Sequence, residues 1–164
     1  MFNIFRDIFS FEIILIDQKA LRQTLGQFAT GITVVTLRNQ SGSYDGITLN
    51  SFNSVYLNPP LILFSLNKRS CYLPLFEESK YFAVNILTIH QQNLSERLAS
   101  NVENKFEGIK CYLGNTEVPL LEGCLAHLEC KNVSQYEGGD HIVFFGEVKI
   151  AKSMEESLCY IMED

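Results

Sequence analysis

No apolar run in this sequence is long enough to cross a bilayer. The N-terminal stretch MFNIFRDIFSFEIILI is strongly apolar, but Arg6, Asp7 and Glu12 interrupt it and its longest unbroken run is Ile13–Ile16. A spanning helix needs about 20 such residues. No small-residue cleavage site follows, so a secretory leader is not expected. Disulfide chemistry is lacking as well. The five cysteines, Cys71, Cys111, Cys124, Cys130 and Cys159, are odd in number and contain no C-x-x-C. That excludes a secreted disulfide framework and any zinc spacing, so no metal site is expected. It suits reduced thiols in the cytoplasm, most of them buried as small hydrophobes. Positive charge is scarce: 13 Lys and Arg stand against 19 Asp and Glu, for a net charge of −6. Broad binding to nucleic acid or to anionic membranes is therefore not expected. There is no G-x-G-x-x-G after a strand and no G-x-S-x-G elbow, which removes the dinucleotide fingerprint and the serine hydrolase signature. Glu77-Glu78 and Glu155-Glu156 read as solvated faces, and neither repeats nor low-complexity segments occur.

What is present is an ordinary globular composition. The chain has 164 residues, 46% hydrophobic and 20% charged, enough for one domain with a sizeable core. Residues 1–16 read as an extension that packs on the body or on a partner, and residues 17–164 as the domain.

Asp17 can cap a helix starting near Gln18, with Ala20, Leu21, Leu25, Phe28 and Ala29 at helical spacing and Gly31 as its stop. The β-branched run Ile32–Leu37 predicts a strand. The turn cluster Asn39–Ser43 predicts a hairpin to a second strand, Tyr44–Leu49. Val55–Leu57 is a short strand stopped by Pro59-Pro60. Leu61–Leu66 is almost unbroken and apolar, which predicts burial on both faces. A short helix is expected from Ser70 to Glu78 and a strand over Tyr81–Leu87. Thr88 and Gln91 fit a capping box for a helix to about Ser100. Asn101–Leu121 reads as an irregular surface excursion. Two strands follow, Cys124–Val133 and His141–Ile150, joined around Gly138-Gly139-Asp140, with a last strand over Leu158–Ile161. Hairpin-linked strands with few helices between them predict a mainly β chain, an antiparallel barrel with helical additions.

Four groups of residues could carry chemistry. Thr48, Asn50 and Ser51 place short polar side chains at a bend, which suits a flat polar ring and equally suits a plain bend between strands. Lys68, Arg69 and Ser70 place two cations and a hydroxyl at the expected start of a helix, which suits a phosphate; a solvated hairpin tip explains them as well. Lys105 could add a phosphate contact and Phe106 could cover a ring, or both could be surface features. His141, after two glycines that permit close approach, could donate to an amide or phosphate, shuttle a proton, or have no role. His127 lies in an apolar strand and reads as structural, and His90 sits in a first helical turn. So few reactive side chains suit an enzyme whose cofactor carries the reaction.

Taken in order, LRQTLGQFATGITVVT, GITLNSFNSVYLNPPLILFSLNKRS, YFAVNIL, KFEG, PLLEGCLAHLEC and GGDHIVFFGEV resemble the short-chain flavin reductase family, the reductase component of two-component flavin monooxygenases. The likeness covers nearly everything from Asp17 onward. It implies a split β-barrel that binds FMN or FAD, usually as a homodimer. It also implies hydride transfer from NADH or NADPH to flavin, with reduced flavin released or passed to a partner monooxygenase. Carried over by position, Thr48, Asn50, Ser51 and Phe52 would line the ring and ribityl chain, and Ser65, Leu66 and Asn67 would continue that wall. Lys68, Arg69, Ser70 and Lys105 would surround the phosphate, and His141 would be the catalytic histidine near the nicotinamide. The chain departs from the family after Tyr160, where Ile161-Met162-Glu163-Asp164 replaces a glycine and a basic or aromatic residue. That departure motivates a rival reading: a flavin-binding, electron-transfer module without its own NAD(P)H activity. A pyridoxamine-phosphate-oxidase-like enzyme on a related barrel is a third.

Overall fold

The computed structural model describes residues 16–100, 102 and 104–154. The extension before Ile16, Cys159, the expected Leu158–Ile161 strand and the Tyr160 departure lie outside the described residues. The chain divides into two units, one ending at Ala29 and the other beginning at Thr30.

The first unit holds helix α1, Gln18–Gly26. Asp17 caps it as its sequence predicts, its carboxylate accepting from Lys19 N–H at 3.1 Å and Ala20 N–H at 3.3 Å. The helix ends at Gly26, before the expected stop at Gly31.

The second unit is built on one antiparallel sheet. Its strands are β1 (Thr33–Arg38), β2 (Tyr44–Leu49), β3 (Asn53–Leu57), β4 (Pro60–Asn67), β5 (Tyr81–Ile86), β8 (Ala126–Gly138) and β9 (His141–Ser153), in the order β2-β1-β5-β8-β9-β4-β3. The edge strands β2 and β3 are consecutive in sequence, with only residues 50–52 between them. A three-residue link cannot span a flat seven-stranded sheet at about 4.8 Å per strand. The sheet must therefore curl until its edges meet, and they meet without pairing. This is the split barrel expected from the sequence.

Inside the curl lies a phenylalanine cluster. Phe64 stacks on Phe144 at 5.0 Å between centroids and meets Phe82 and Phe76 edge-on at 5.2 and 5.7 Å. Gly146 permits this packing, because a Cβ there would lie 2.5 Å from Phe82 Cζ. In β4 only Ile62, Phe64 and Leu66 are buried, while Leu61, Leu63 and Ser65 are half-buried. The expected burial on both faces is thus corrected to ordinary alternation, with one face on the core.

A buried polar knot joins three strands. Asn85 Nδ2 donates to Val34 O and to Thr36 Oγ1, both at 3.0 Å, and Asn85 Oδ1 accepts from Leu121 N–H at 2.9 Å. Leu121 belongs to β7 (Pro119–Leu121), which pairs with β6 (Cys111–Leu113). This small hairpin falls where the sequence predicts only irregular chain. Glu129 of β8 holds its turn, accepting from Thr116 N–H and Oγ1–H at 2.7 Å each. The capping box at Thr88 and Gln91 is present. It opens a single 3-10 turn that leads into α3, Gln92–Ala99.

Candidate functional site

The open seam of the barrel brings together two of the sequence-predicted residues, Ser51 and Ser65. Residues 50–52 lie between the β2 and β3 ladders and have no backbone–backbone hydrogen bond among the described residues. Asn50 is exposed, and Ser51 and Phe52 are half-buried. The Ser51 hydroxyl is engaged internally, donating to Ser65 O and accepting from Ser65 N–H, both at 3.0 Å. Phe52 packs against the barrel core. Thr48 Oγ1 donates to Ser95 O of α3 at 2.7 Å. Two of the three short polar side chains thus tie the seam to its neighbours, and the main chain of residues 50–52 is left with open donors and acceptors.

β4 runs from that seam to a basic turn. Ser65 and Asn67 are half-buried and Leu66 points into the core. Lys68 and Arg69 are exposed, and Ser70 is half-buried. Lys68 Nζ pairs with Glu137 at 2.9 Å, so Arg69 is the cation of this turn that has no carboxylate among the described residues. The expected helix start at Ser70 is corrected. Helix α2 begins at Leu73 and has no side-chain cap. Pro74 accounts for the shift: it has no N–H to give to Ser70 O, as a helix capped at Ser70 would require, but it is tolerated in the first turn of a helix that begins at Leu73. Ser70 Oγ instead accepts from Tyr72 N–H at 3.3 Å and forms a local turn.

Tyr72 leads to Lys105. The Lys105 ammonium lies 4.5 Å from the centre of the Tyr72 ring and donates to Leu98 O at 3.2 Å. It is 6% exposed and has no ion pair among the described residues. A buried ammonium without an anion is costly. The loop is held in place by Arg97, whose guanidinium donates to Glu107 O and to Asn104 O. Lys105, Tyr72, Tyr44 and Gly46 line a cavity of about 620 Å³. Phe106 lies edge-on to Tyr44 at 6.3 Å and packs on the cluster around Leu98, so it forms the wall of this cavity.

His141 stands opposite Asn67 in the β4–β9 ladder. Its Nδ1 is 2.7 Å from Asp140 Oδ1. The hydrogen bond from His141 holds the Asp140 carboxyl below its ordinary value. His127 is buried and bonded to Leu121 O at 2.7 Å, a structural role. Burial pushes the thiols of Cys130 and Cys124 up to about 12 and about 11, which leaves them inert at neutral pH. The candidate residues thus comprise an open main-chain edge, a basic turn, a buried ammonium and a half-buried histidine, and of them Lys105 and Phe106 line the cavity. Tyr72 and Asp140 are members that sequence reasoning missed. Tyr72 reads as one more apolar position, whereas the adjacency of Asp140 to His141 could have revealed it.

The geometry fits a flavin: unpaired main-chain groups for a polar ring edge, then cationic groups for an anionic tail. Comparison with known proteins agrees. The profile of the flavin reductase like domain matches residues 25–162. The chain is 37% identical to the FMN reductase (NADH) SmoA of Agrobacterium fabrum, over 88% of this chain and 82% of that one. It is 40% identical to the reductase subunit HsaB of a flavin-dependent monooxygenase of Mycobacterium tuberculosis, over 82% and 71%. Among solved structures, it superposes on the Streptomyces globisporus NADH:FAD oxidoreductase SgcE6, in complex with NAD and FAD fragments, with a TM-score of 0.83. The identity is 36% and the coverage 88% of this chain and 87% of that one. On this match in profile, sequence and fold, the chain belongs to the flavin reductase-like family.

Proposed function

We propose that this protein is an NAD(P)H-dependent flavin reductase that transfers a hydride from a reduced nicotinamide to FMN or FAD. The observation that carries the reading is Lys105: a buried ammonium beside Tyr72, on a cavity also lined by Asp45 and Glu107, with no ion pair among the described residues. An incoming phosphate would supply an anion. Bound flavin supplies the ring nitrogen that accepts the hydride. The chain does the positioning. The main chain of residues 50–52 would meet the ring edge, the strand end Ser65–Asn67 would wall the ribityl side, and Arg69, Ser70 and Lys105 would hold the tail. His141 stands across from Asn67, where a nicotinamide can be met. Rate comes from holding two rings in near contact, which needs no protein nucleophile.

Passage of reduced flavin to a partner monooxygenase belongs to the same proposal and is supported by the likeness to HsaB. So does a homodimer. Edge strand β3 exposes Val55, Tyr56 and Leu57, α1 exposes Leu21 and Leu25, and Phe28 just after it is exposed as well. Exposed edges and apolar faces of this kind call for a covering partner. A cytoplasmic location is supported by free thiols at Cys71, Cys111, Cys124 and Cys130. The test is direct. Purified protein with NADH or NADPH is expected to bleach the visible absorbance of added FMN or FAD, and bleaching no faster than in buffer would overturn the assignment.

A further inference from the structure

Helix α3 reaches two separate parts of the candidate site. Its Ser95 O accepts from the Thr48 hydroxyl at 2.7 Å, just before the seam, and its Leu98 O accepts from the Lys105 ammonium at 3.2 Å. The helix also carries Arg97, which is exposed. One guanidinium nitrogen of Arg97, Nη2, donates to two carbonyls, Asn104 O at 3.4 Å and Glu107 O. These carbonyls mark the two ends of a turn. Glu107 N–H donates to Asn104 O at 2.9 Å, and the residues inside the turn are Lys105 and Phe106. Asn104 has a φ of 53°, in the left-handed region. Asparagine enters that region more readily than most residues, yet it stays there only when its surroundings enforce it. A nitrogen that bridges both ends of the turn supplies that enforcement.

The turn matters because it sets where the ammonium stands. The cavity that Lys105 and Phe106 line is also lined by Asp45 and Glu107. Asp45 is engaged by Asn39 Nδ2 at 2.8 Å, but one cation against two carboxylates still gives the cavity no net attraction for an anion. Attraction between charges falls with distance. A phosphate is therefore held only if the ammonium stands closer to it than the carboxylates do. Placement of Lys105 decides this, and the count of charges does not. The Tyr72 ring and Leu98 O hold the far end of the side chain, while Arg97 holds the main chain that carries it. Arg97 is not among the residues that line the cavity, so it acts through Lys105.

We propose that Arg97 is a positioning residue that sets the preference for a phosphorylated flavin: by clamping Asn104 and Glu107 it holds Lys105 where its ammonium meets the flavin phosphate. The proposal rests on the flavin reductase reading. It adds that selectivity for the tail is decided on α3, one residue away from the carbonyl that receives the ammonium.

The experiment measures binding of FMN and of riboflavin to the full-length protein by quenching of flavin fluorescence. The two ligands share the ring and differ in the phosphate. Wild type is expected to bind FMN more tightly than riboflavin. Arg97→Ala is expected to weaken FMN binding by about tenfold and to leave riboflavin within about twofold. Arg97→Lys, which keeps a cationic donor, is expected to regain most of the loss. In a Lys105→Met background, Arg97→Ala should change FMN affinity no further, because the group it positions is gone. Unchanged FMN affinity in Arg97→Ala overturns the proposal. So does an equal loss for FMN and riboflavin, which is what a merely structural role gives, and so do additive losses in the double variant or equal wild-type affinity for the two ligands. In each of those cases wild type still binds flavin, and the flavin reductase reading stands. Wild-type protein that binds neither ligand overturns that reading and the proposal with it.

Discussion

Ser51 and Ser65 hold each other reciprocally: the Ser51 hydroxyl donates to Ser65 O and accepts from Ser65 N–H, both at 3.0 Å. This pair latches the three-residue link between the sheet's two edges onto β4. The link carries the open main-chain groups that the proposed function assigns to a flavin ring, so the latch sets the shape of that edge. Ser51→Ala removes the only side-chain group that satisfies Ser65 N–H. It is expected to cost about 1–2 kcal/mol of stability and to weaken flavin binding several-fold. Urea unfolding and quenching of flavin fluorescence report the two effects separately. Unchanged flavin affinity would show that the link keeps its shape without the latch.

Lys105 separates stability from binding in the opposite direction. Its ammonium is buried beside Tyr72 with no ion pair among the described residues, which carries a desolvation cost that a bound anion would relieve. Lys105→Met keeps the length of the side chain and removes the charge. The variant is expected to melt at or above the wild-type temperature while binding FMN about ten- to a hundred-fold more weakly. Equal affinity in wild type and variant would place the phosphate elsewhere.

Asn85 makes a prediction about the fold alone. It is fully buried and bonds to Val34, Thr36 and Leu121 at once. Asn85→Leu leaves Leu121 N–H unpaired in the core and should destabilise the protein by about 2–3 kcal/mol, read from the shift in urea midpoint. A midpoint within experimental error of wild type would show that β7 finds another partner.

These residues also show where sequence reasoning reached and where it stopped. The β1–β2 hairpin was legible because Asn39–Ser43 concentrates turn formers between two β-branched runs. The capping box was legible because Thr88 and Gln91 act within a few residues of each other. The β6–β7 hairpin was not, since its strands are three residues each and its turn is held by Glu129 from β8, thirteen residues beyond Thr116. The start of α2 was misplaced because Ser70 has the right chemistry for a cap, while Pro74 lacks the N–H that a helix capped there would need. In the site, the basic turn was readable from Lys68-Arg69-Ser70. The contact of Lys105 with Tyr72 was not, because a cation–ring pair across 33 residues of sequence leaves no local pattern. Only the three-dimensional structure indicates that Thr48 and Ser51 serve the seam rather than offer free hydroxyls.

The buried thiols give a pH dependence with a definite sign. Burial raises Cys130 from 9.0 to about 12 and Cys124 from 9.0 to about 11. Their neutral form is favoured by the fold, so the folded chain keeps protons that the unfolded chain releases above about pH 9. Stability falls with rising pH wherever the unfolded state binds fewer protons. The contribution is therefore whole below pH 9.0 and is lost progressively as pH climbs toward 11 and 12. Urea midpoints should be level from about pH 7 to 9 and then decline, and the decline should be shallower in Cys130→Ala, although that variant starts from lower stability because it leaves a small cavity. Alkylation of the native protein gives an independent check. Cys71 is exposed and Cys124 and Cys130 are buried, so iodoacetamide should label Cys71 before Cys124 and Cys130, with mass analysis locating the adduct. Labelling of Cys130 as fast as Cys71 would mean that the barrel opens readily enough to expose its core, and the alkaline decline would then need another source.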